Sequence, residues 1–334
     1  MSTIADVAAL AGVSKATASR ALSGRGYVSD ATRERVSAAA SELSYIAHSS
    51  ATSLATGRTR TVGVITPTLG RWFFTELLTG IHDALLEHGY DMAVSGVAEG
   101  SPARGRLFDT ALPGRRYDGI IAAGLQPRTH ELERLLPLPS PLVSVGPYDG
   151  GTSSVGIDDT AAARRATEHL IDLGHSEIAF IGVASPARQT ALGDSLRIAG
   201  YRASMRAAGL SERTITAAAS GDMPAAYAAA VDLLGERRGR PTAIVALCDE
   251  MAIGAIIAAH RLGIAVPTEL SVVGIDDHHN AEMFSLTTIR QRPREQGADA
   301  ARLLLDRIEN PLAAVEHIQA PSTLVVRNSS APPR

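Results

Sequence analysis

Cysteine is almost missing from this chain of 334 residues: Cys248 is the only one. A single thiol forms no internal disulfide and no thiolate metal cage, which excludes a stapled scaffold and suits a reducing compartment. Long apolar runs are missing too, and none approaches the length that spans a bilayer. The amino terminus has no charged-then-apolar signal pattern, so a cytoplasmic location is expected. A large positive charge is absent, since the formal net charge is −3. That balance argues against a protein that coats nucleic acid with its whole surface. Residues 1–60 differ from the rest, with seven basic side chains against four acidic ones, near +3, which leaves the remainder near −6. Only this small segment has the sign a phosphate backbone attracts. Lys15, inside it, is the only lysine among 32 basic residues. Aromatic residues make up only 4% of the chain, yet Trp72, Phe73 and Phe74 are consecutive. The 45% hydrophobic content is enough for two or three domains with cores of their own.

The run from Thr3 to Gly24 reads as helix, turn, helix. Thr3 is placed to cap the first helix, with Asp6 three residues on to answer it. Val7, Leu10 and Ala11 fall on one face. Gly12 permits a left-handed turn, and Ser14 is placed to cap a second helix from Lys15 to about Leu22. Ala18, Ala21 and Leu22 form its packing stripe, while Lys15, Ala16, Ser19 and Arg20 share the opposite side. Small alanines let two helices cross closely and leave that outer face free to enter a major groove. A third helix is expected from Ser29, with Thr32, Val36, Ala40 and Leu43 on one side.

On these residues, with Val28-Ser29, Thr32-Arg33 and Leu43-Ser44-Tyr45-Ile46 behind them, the chain resembles the lactose-repressor/galactose-repressor family of bacterial transcription regulators. The resemblance implies that Lys15, Ala16 and Arg20 read bases. Thr3, Ser14, Thr17, Ser29 and Tyr45 match phosphate contacts, which position a domain without specifying sequence. It further implies a hinge helix after the three-helix unit, where Leu54 matches a minor-groove wedge and Ala51 the close approach of paired hinge helices. Ala47 and Ser49 depart from the proline and arginine often found there.

From Thr61 the texture changes to short apolar runs alternating with helical periodicity. Strands are expected at Val62–Ile65, Tyr90–Val94, Tyr117–Ile121, Leu142–Val145, Ile178–Ile181, Ala243–Leu247 and Ser271–Ile275. Helices are expected at Phe74–Glu87, Ala162–Leu173, Ile198–Ala208 and Met251–Leu262. Such alternation predicts doubly wound parallel sheets with helices on both faces. Gly156-Ile157-Asp158-Asp159 and Gly274-Ile275-Asp276-Asp277 form a near-repeat that sets a carboxylate pair past an apolar strand in each of two lobes. Ligands of such sheets bind at strand carboxyl ends, so both pairs should face a common cleft.

The fold class expected is therefore α/β: an amino-terminal helix-turn-helix DNA-binding domain plus a two-lobed, periplasmic-binding-protein-like domain. The resemblance divides it into a DNA-binding domain (1–46), a hinge helix and linker (47–60) and an effector domain (61–330). Lobe 1 is expected at about 61–159 and 288–318, lobe 2 at about 160–287 and 319–330, with crossings near 159, 287 and 319. Arg197 and Asp276 match family positions that contact the effector, with Phe73, Phe74, Asp158 and Asp249 assigned beside them. Carboxylates and a guanidinium suit sugar hydroxyls, and an aromatic face covers the apolar side of a pyranose.

The reading is a non-enzymatic repressor of carbohydrate-utilisation genes controlled by a mono- or oligosaccharide. It needs no cofactor or metal and acts as a homodimer on near-palindromic double-stranded operator DNA. The carboxyl terminus lacks the apolar heptads a tetramer helix would need. Two alternatives come from other classes. One is a solute-binding module without DNA. The other is a hydrolase using Ser195 of Gly193-Asp194-Ser195-Leu196 with His279, three residues past Asp276. In that hydrolase class the serine block follows the first strand, whereas here it leads into a helix deep in the second lobe. His278 and His279 lack a third ligand at a zinc-like spacing and read as a loop pair in solvent. Cys248 is expected to pack at a strand end.

Overall fold

Thr3 and Asp6 start the first helix by satisfying each other: the Asp6 carboxylate accepts from the Thr3 amide at 2.7 Å, and the Thr3 hydroxyl accepts from the Asp6 amide at 3.4 Å. The computed structural model describes residues 2–23, 27–45, 58–98, 100–112, 117–125, 128–135, 140–147, 151–182, 192–211, 215–219, 222–236 and 239–334. They form two compact units, Met1–Arg60 and Thr61–Arg334. In the first, α1 (Ile4–Leu10), α2 (Lys15–Ser23) and α3 (Asp30–Glu42) close around Val7, Ala8, Ala11, Ala18, Ala21, Val36, Ala39 and Ala40. Gly12 takes φ +64 between the first two helices, the left-handed conformation that a side chain disfavours. Leu10 departs from the expected face. It is 48% exposed, and Ala8 joins Val7 and Ala11 in the core instead.

The second unit holds two six-stranded sheets. Sheet 1 contains β1 (Thr61–Thr66), β2 (Asp91–Gly96), β3 (Gly119–Ala123), β4 (Leu142–Val145), β5 (Ser153–Gly156) and, late in the chain, β11 (His317–Gln319), in the order β11-β5-β4-β3-β1-β2. All its neighbouring strands are parallel. Helix α4 (Trp72–Glu87) covers one face with Leu77, Ile81 and Leu85 on Val62, Val64 and Ile121. The other face, with Ile65, Ile120 and Leu142, is covered by α5 (Pro102–Arg106), the π turn Leu107–Ala111 that continues it, and α6 (Thr129–Leu135). A buried fork joins these coverings: Arg104 donates two hydrogen bonds of 2.7 Å to Glu131.

Sheet 2 contains β6 (Ile178–Gly182), β7 (Ile215–Ala218), β8 (Ala243–Ala246), β9 (Ser271–Asp276), β10 (Thr287–Arg290) and an antiparallel edge strand, β12 (Thr323–Val325), in the order β12-β10-β9-β8-β6-β7. Its helices pack in pairs, α7 (Asp159–Asp172) with α8 (Leu192–Ala207) and α9 (Met223–Gly235) with α10 (Asp249–Arg261). Alanines dominate the contacts, so helices and sheet meet closely around Phe180, Tyr201, Val245 and Ile275. The carboxyl-terminal segment folds back onto this sheet: Ser329 is buried between β9 and β10, and His175 reaches the Ala331 carbonyl.

The chain passes between the sheets after β5, after β10 and between β11 (His317–Gln319) and β12. The second passage falls later than expected. Thr287–Arg290 still pairs with β9, so the chain leaves sheet 2 only at Gln291 and Arg292 before α11 (Pro293–Glu309) joins α4 under sheet 1. No helix among the described residues is long and apolar enough to cross a membrane.

Glycine permits the close crossing of α4 and α11. A Cβ at Gly80 would collide with the Arg294 carbonyl oxygen, and one at Gly297 with that of Leu77, whereas one at Gly105 meets nothing within 4 Å. Backbone carbonyls cannot swing aside as side-chain ends do. Gly80→Ala and Gly297→Ala should each destabilise the second unit by about 1–3 kcal/mol, read as a lower thermal midpoint. Gly105→Ala is expected to leave that midpoint near the parent's.

Candidate functional site

The first unit offers an outward helix face. Ser14 stands before α2, its hydroxyl accepting from the Thr17 amide at 3.1 Å and meeting the Thr17 hydroxyl at 2.9 Å. Ala18 and Ala21 are buried, so the helix presents Lys15, Ala16 and Arg20, all exposed, on its far side. The Arg20 Nε donates to the Ala16 carbonyl at 3.2 Å, which lays the guanidinium along that face. Ser29 stands at the start of α3 as expected, but its hydroxyl meets Thr32 at 2.9 Å and makes no capping bond to the helix backbone. Tyr45 packs partly against the three-helix core, and Thr3 is engaged in its capping box. Ala51 and Leu54 lie outside the described residues.

The second unit gathers a polar cluster at the strand carboxyl ends. Asp159 follows β5, Leu247 to Glu250 follow β8, Asp276 to His278 end and follow β9, Gln291 follows β10, and Arg71 lies between β1 and α4. Arg197, on α8, is the centre: its Nε donates to Asp159 at 2.7 Å, its Nη1 to the Leu247 carbonyl at 2.6 Å, and the same nitrogen is 4.0 Å from Asp276. Asp276 accepts from Gln291 Nε2 at 2.6 Å, and Gln296 in turn donates to Gln291 at 3.1 Å. Asp276 and Asp277 take φ +140 and +60. Two successive side chains at positive φ cost of order 1–3 kcal/mol each, a strain found where a fold aims a group. Here it turns the Asp276 carboxylate toward Arg197 and leaves Asp277 to Arg290 and Arg327.

Several expected contacts take other positions. The Asp158 carboxylate is exposed and caps α7 through the Ala161 amide, because a helix start needs its acceptor one residue before the turn; Asp159 faces the cluster instead. One carboxylate from each near-repeat therefore reaches Arg197, not both pairs. Asp249, fully buried, accepts from the Thr288 hydroxyl at 2.6 Å and the His278 amide at 2.8 Å, so it braces β10 and the turn after β9. Gly274 lacks a Cβ where that carboxylate lies. Phe74 belongs to the lobe 1 core against Gly124, with Phe73 packed edge-on at 5.3 Å. The aromatic that reaches the other lobe is Trp72, whose ring lies 4.8 Å from His278. His278 is buried, contrary to the solvent pair expected, since Trp72 covers it; His279 is exposed beside it. Ser195 is an exposed position within α8. Cys248 is buried at the start of α10, as a small apolar group at a strand end.

Sequence reading missed Arg71, Asp194, Glu250 and Gln291. Each sits within a few residues of a strand end or helix start, and strand carboxyl ends are the signal that could have found them. A cavity of about 600 Å³ runs beside the second passage, between α4 and α11, reaching Trp72 and Gln291. Its charged walls pair with one another, Arg290 with Asp277 and Arg294 with Asp83.

Residues 3–48 match the model of the bacterial regulatory proteins, lacI family, and residues 167–330 that of a periplasmic binding protein-like domain. The Ribose operon repressor of Escherichia coli (strain K12) is 30% identical over 336 residues, covering 99% of this chain and 100% of that protein. A solved complex of the transcriptional regulator CelR with cellobiose is 30% identical with a TM-score of 0.71, covering 98% of this chain and 100% of that one. The lac repressor dimer bound to operator and the anti-inducer ONPF is 26% identical with a TM-score of 0.86, covering 99% of each chain.

Burial, then the Asp276 carboxylate, pushes Asp249 up to about 8, and burial, offset by Arg197, pushes Asp276 up to about 6. A carboxyl with a raised native pKa holds an extra proton when folded, so stability falls as pH rises toward that value. Burial lowers His169, His175 and His278, which act in the opposite sense below about 6.5. From about pH 6.5 to 8 the falling slope belongs to the raised carboxyls, Asp249 and Asp194. Denaturant midpoints across that range should fall for the parent and fall less steeply for Asp249→Asn, whose amide oxygen can accept from the His278 N–H while its NH2 donates to the Thr288 hydroxyl oxygen. Equal slopes would remove Asp249 from this account.

Proposed function

Because the chain belongs to the lacI family of bacterial regulatory proteins, we propose that it represses carbohydrate-utilisation genes, with operator affinity set by a small neutral sugar held between its lobes. Members of the family are transcriptional repressors and not enzymes, which retires the hydrolase reading of Ser195 and His279. The solute-binding alternative has no use for a helix-turn-helix unit.

The outward face of α2 carries the reading. Lys15 and Arg20 stand out from a helix whose other side is fixed by buried alanines, the arrangement that lets a helix enter the major groove. Arg20 can take guanine O6 and N7 in a bidentate pair. Ala16 has no polar group and adds little base preference. Thr3, Ser14, Thr17, Ser29 and Tyr45 are assigned to phosphates, and Ala51 and Leu54 to a hinge helix and minor-groove wedge. One three-helix unit reads a half-site, so the acting form is a homodimer on a near-palindromic operator, in the cytoplasm.

The sugar assignment is supported by the cluster's charge. Arg197 already has carboxylate partners in Asp159 and Asp276, and Asp194 and Glu250 lie close by. A phosphate would meet these acids, whereas a sugar hydroxyl both donates and accepts and can join either sign of group. Relatives fit this class: one is a ribose operon repressor, another was solved with cellobiose. Arg197, Asp276 and Asp159 are the effector contacts we favour, with Trp72 as the aromatic face; Asp249 and Phe74 support them, and Phe73 and Asp158 lie at the margin.

Footprinting on the DNA upstream of its own gene, across a salt series and a panel of mono- and oligosaccharides, tests the reading. Protection is expected over a near-palindrome, altered by one sugar class. Arg20→Ala should lose about 1–3 kcal/mol of operator affinity and relax the preference at one base per half-site. No protection at any salt concentration would sink the regulator reading.

A further inference from the structure

Lobe 2 presents an acidic face to the cleft: Asp159, Asp194, Glu250 and Asp276 stand around the guanidinium of Arg197. Lobe 1 answers with Arg71. This residue precedes α4 in extended backbone, φ −91 and ψ 139, and its side chain makes no capping bond to its own helix. It reaches across instead: Nη2 donates to the Cys248 Sγ at 3.2 Å, and Nε lies 3.5 Å from Glu250. Burial pushes the Cys248 thiol up to about 11, so the sulfur is neutral and a weak acceptor. Burial alone would also weaken the Arg71 charge, but the carboxylates of Asp194, Asp276 and Glu250 hold it above its ordinary value. The next residue, Trp72, crosses to the same lobe on His278.

Both partners of Arg71 are of the kind a fold can give up. The contact with Glu250 is at the long end of hydrogen bonding, the thiol is a poor acceptor, and the two charged side chains keep 25% and 19% exposure. Arg197, by contrast, is fixed by short bonds within lobe 2 alone.

We propose that Arg71 is a latch between the lobes, holding them together through Glu250 and Cys248 until an effector in the cleft displaces it. The latch rests on the reading of the cleft as the effector site. Its consequence is a competition: the effector gains its own contacts but first breaks these, so Arg71 sets the effector concentration at which the protein responds. A residue that merely touched the effector would act with the opposite sign, because its loss would weaken binding.

Full-length parent, Arg71→Met, Arg71→Lys and Glu250→Gln proteins tested without sugar by small-angle X-ray scattering examine the latch directly. Arg71→Met and Glu250→Gln are expected to shift the chain to a larger radius of gyration, the double variant no further than either, with Arg71→Lys between them and the parent. Unchanged scattering in both charge-removing variants overturns the latch. Titration calorimetry with ribose and with cellobiose then separates the roles. A binding sugar should bind Arg71→Met about 5-fold or more tightly than the parent. Weaker binding to Arg71→Met, with Glu250→Gln unaffected, makes Arg71 a ligand contact and also overturns the proposal. Opened variants that take up neither sugar would support the latch and count against the carbohydrate reading, so the two fail separately.

Discussion

A guanidinium taken out of water has to be met by oxygen, and the shape of the cleft follows from how Arg197 is met. Asp159 arrives from the start of α7, the Leu247 carbonyl from the end of β8, and Asp276 from the end of β9. Two strand ends and two helices, α7 and α8, are thereby held to one point. If Arg197 were removed, Asp159 and Asp276 would face each other buried and uncompensated, a loss of about 3–5 kcal/mol for a broken buried pair. The strained backbone at Asp276 and Asp277 persists because Gln291, Arg290 and Arg327 hold the two carboxylates in different directions. Charge placement, more than apolar packing, makes this end of the sheet a site.

Much of the fold was legible because its signals are local. The capping box of Thr3 and Asp6, the left-handed turn at Gly12 and the alternation of apolar runs all depend on neighbours within a few residues. What was lost depended on partners distant in sequence. Leu10 looked like core by spacing, yet α1 turns Ala8 inward beside Val7 and Ala11. Asp158 and Asp276 looked equivalent in the near-repeat, but the first pair begins a helix and spends one carboxylate on its cap, while the second ends in positive-φ backbone. Arg71 carried no signal of its own, since its partners lie nearly 180 residues away. Phe74 shows the converse: an aromatic run drew attention to the right loop, and only packing reveals that Trp72, two residues earlier, reaches the other lobe.

The two units divide the work by charge. A small basic unit with one lysine and an alanine-lined core presents the exposed α2 face, while the larger acidic unit gathers the polar cluster where its lobes meet through Arg71 and Trp72. The passages between sheets are short, and the second is tied to the site itself, because Gln291 in that passage binds Asp276. Any rearrangement of the lobes therefore moves a residue of the cluster. On the proposed function, this is the link by which an effector shifts the population of lobe arrangements and with it operator affinity.

On the proposed function, effector binding in the cleft and operator binding are coupled equilibria, and such coupling is reciprocal. The direct measurement is calorimetric titration of the sugar that alters the footprint, into the protein alone and into the protein saturated with operator. The effector dissociation constant is expected to change by the same factor as the operator dissociation constant changes when effector is saturating. An effector affinity that is identical with and without operator would contradict the account.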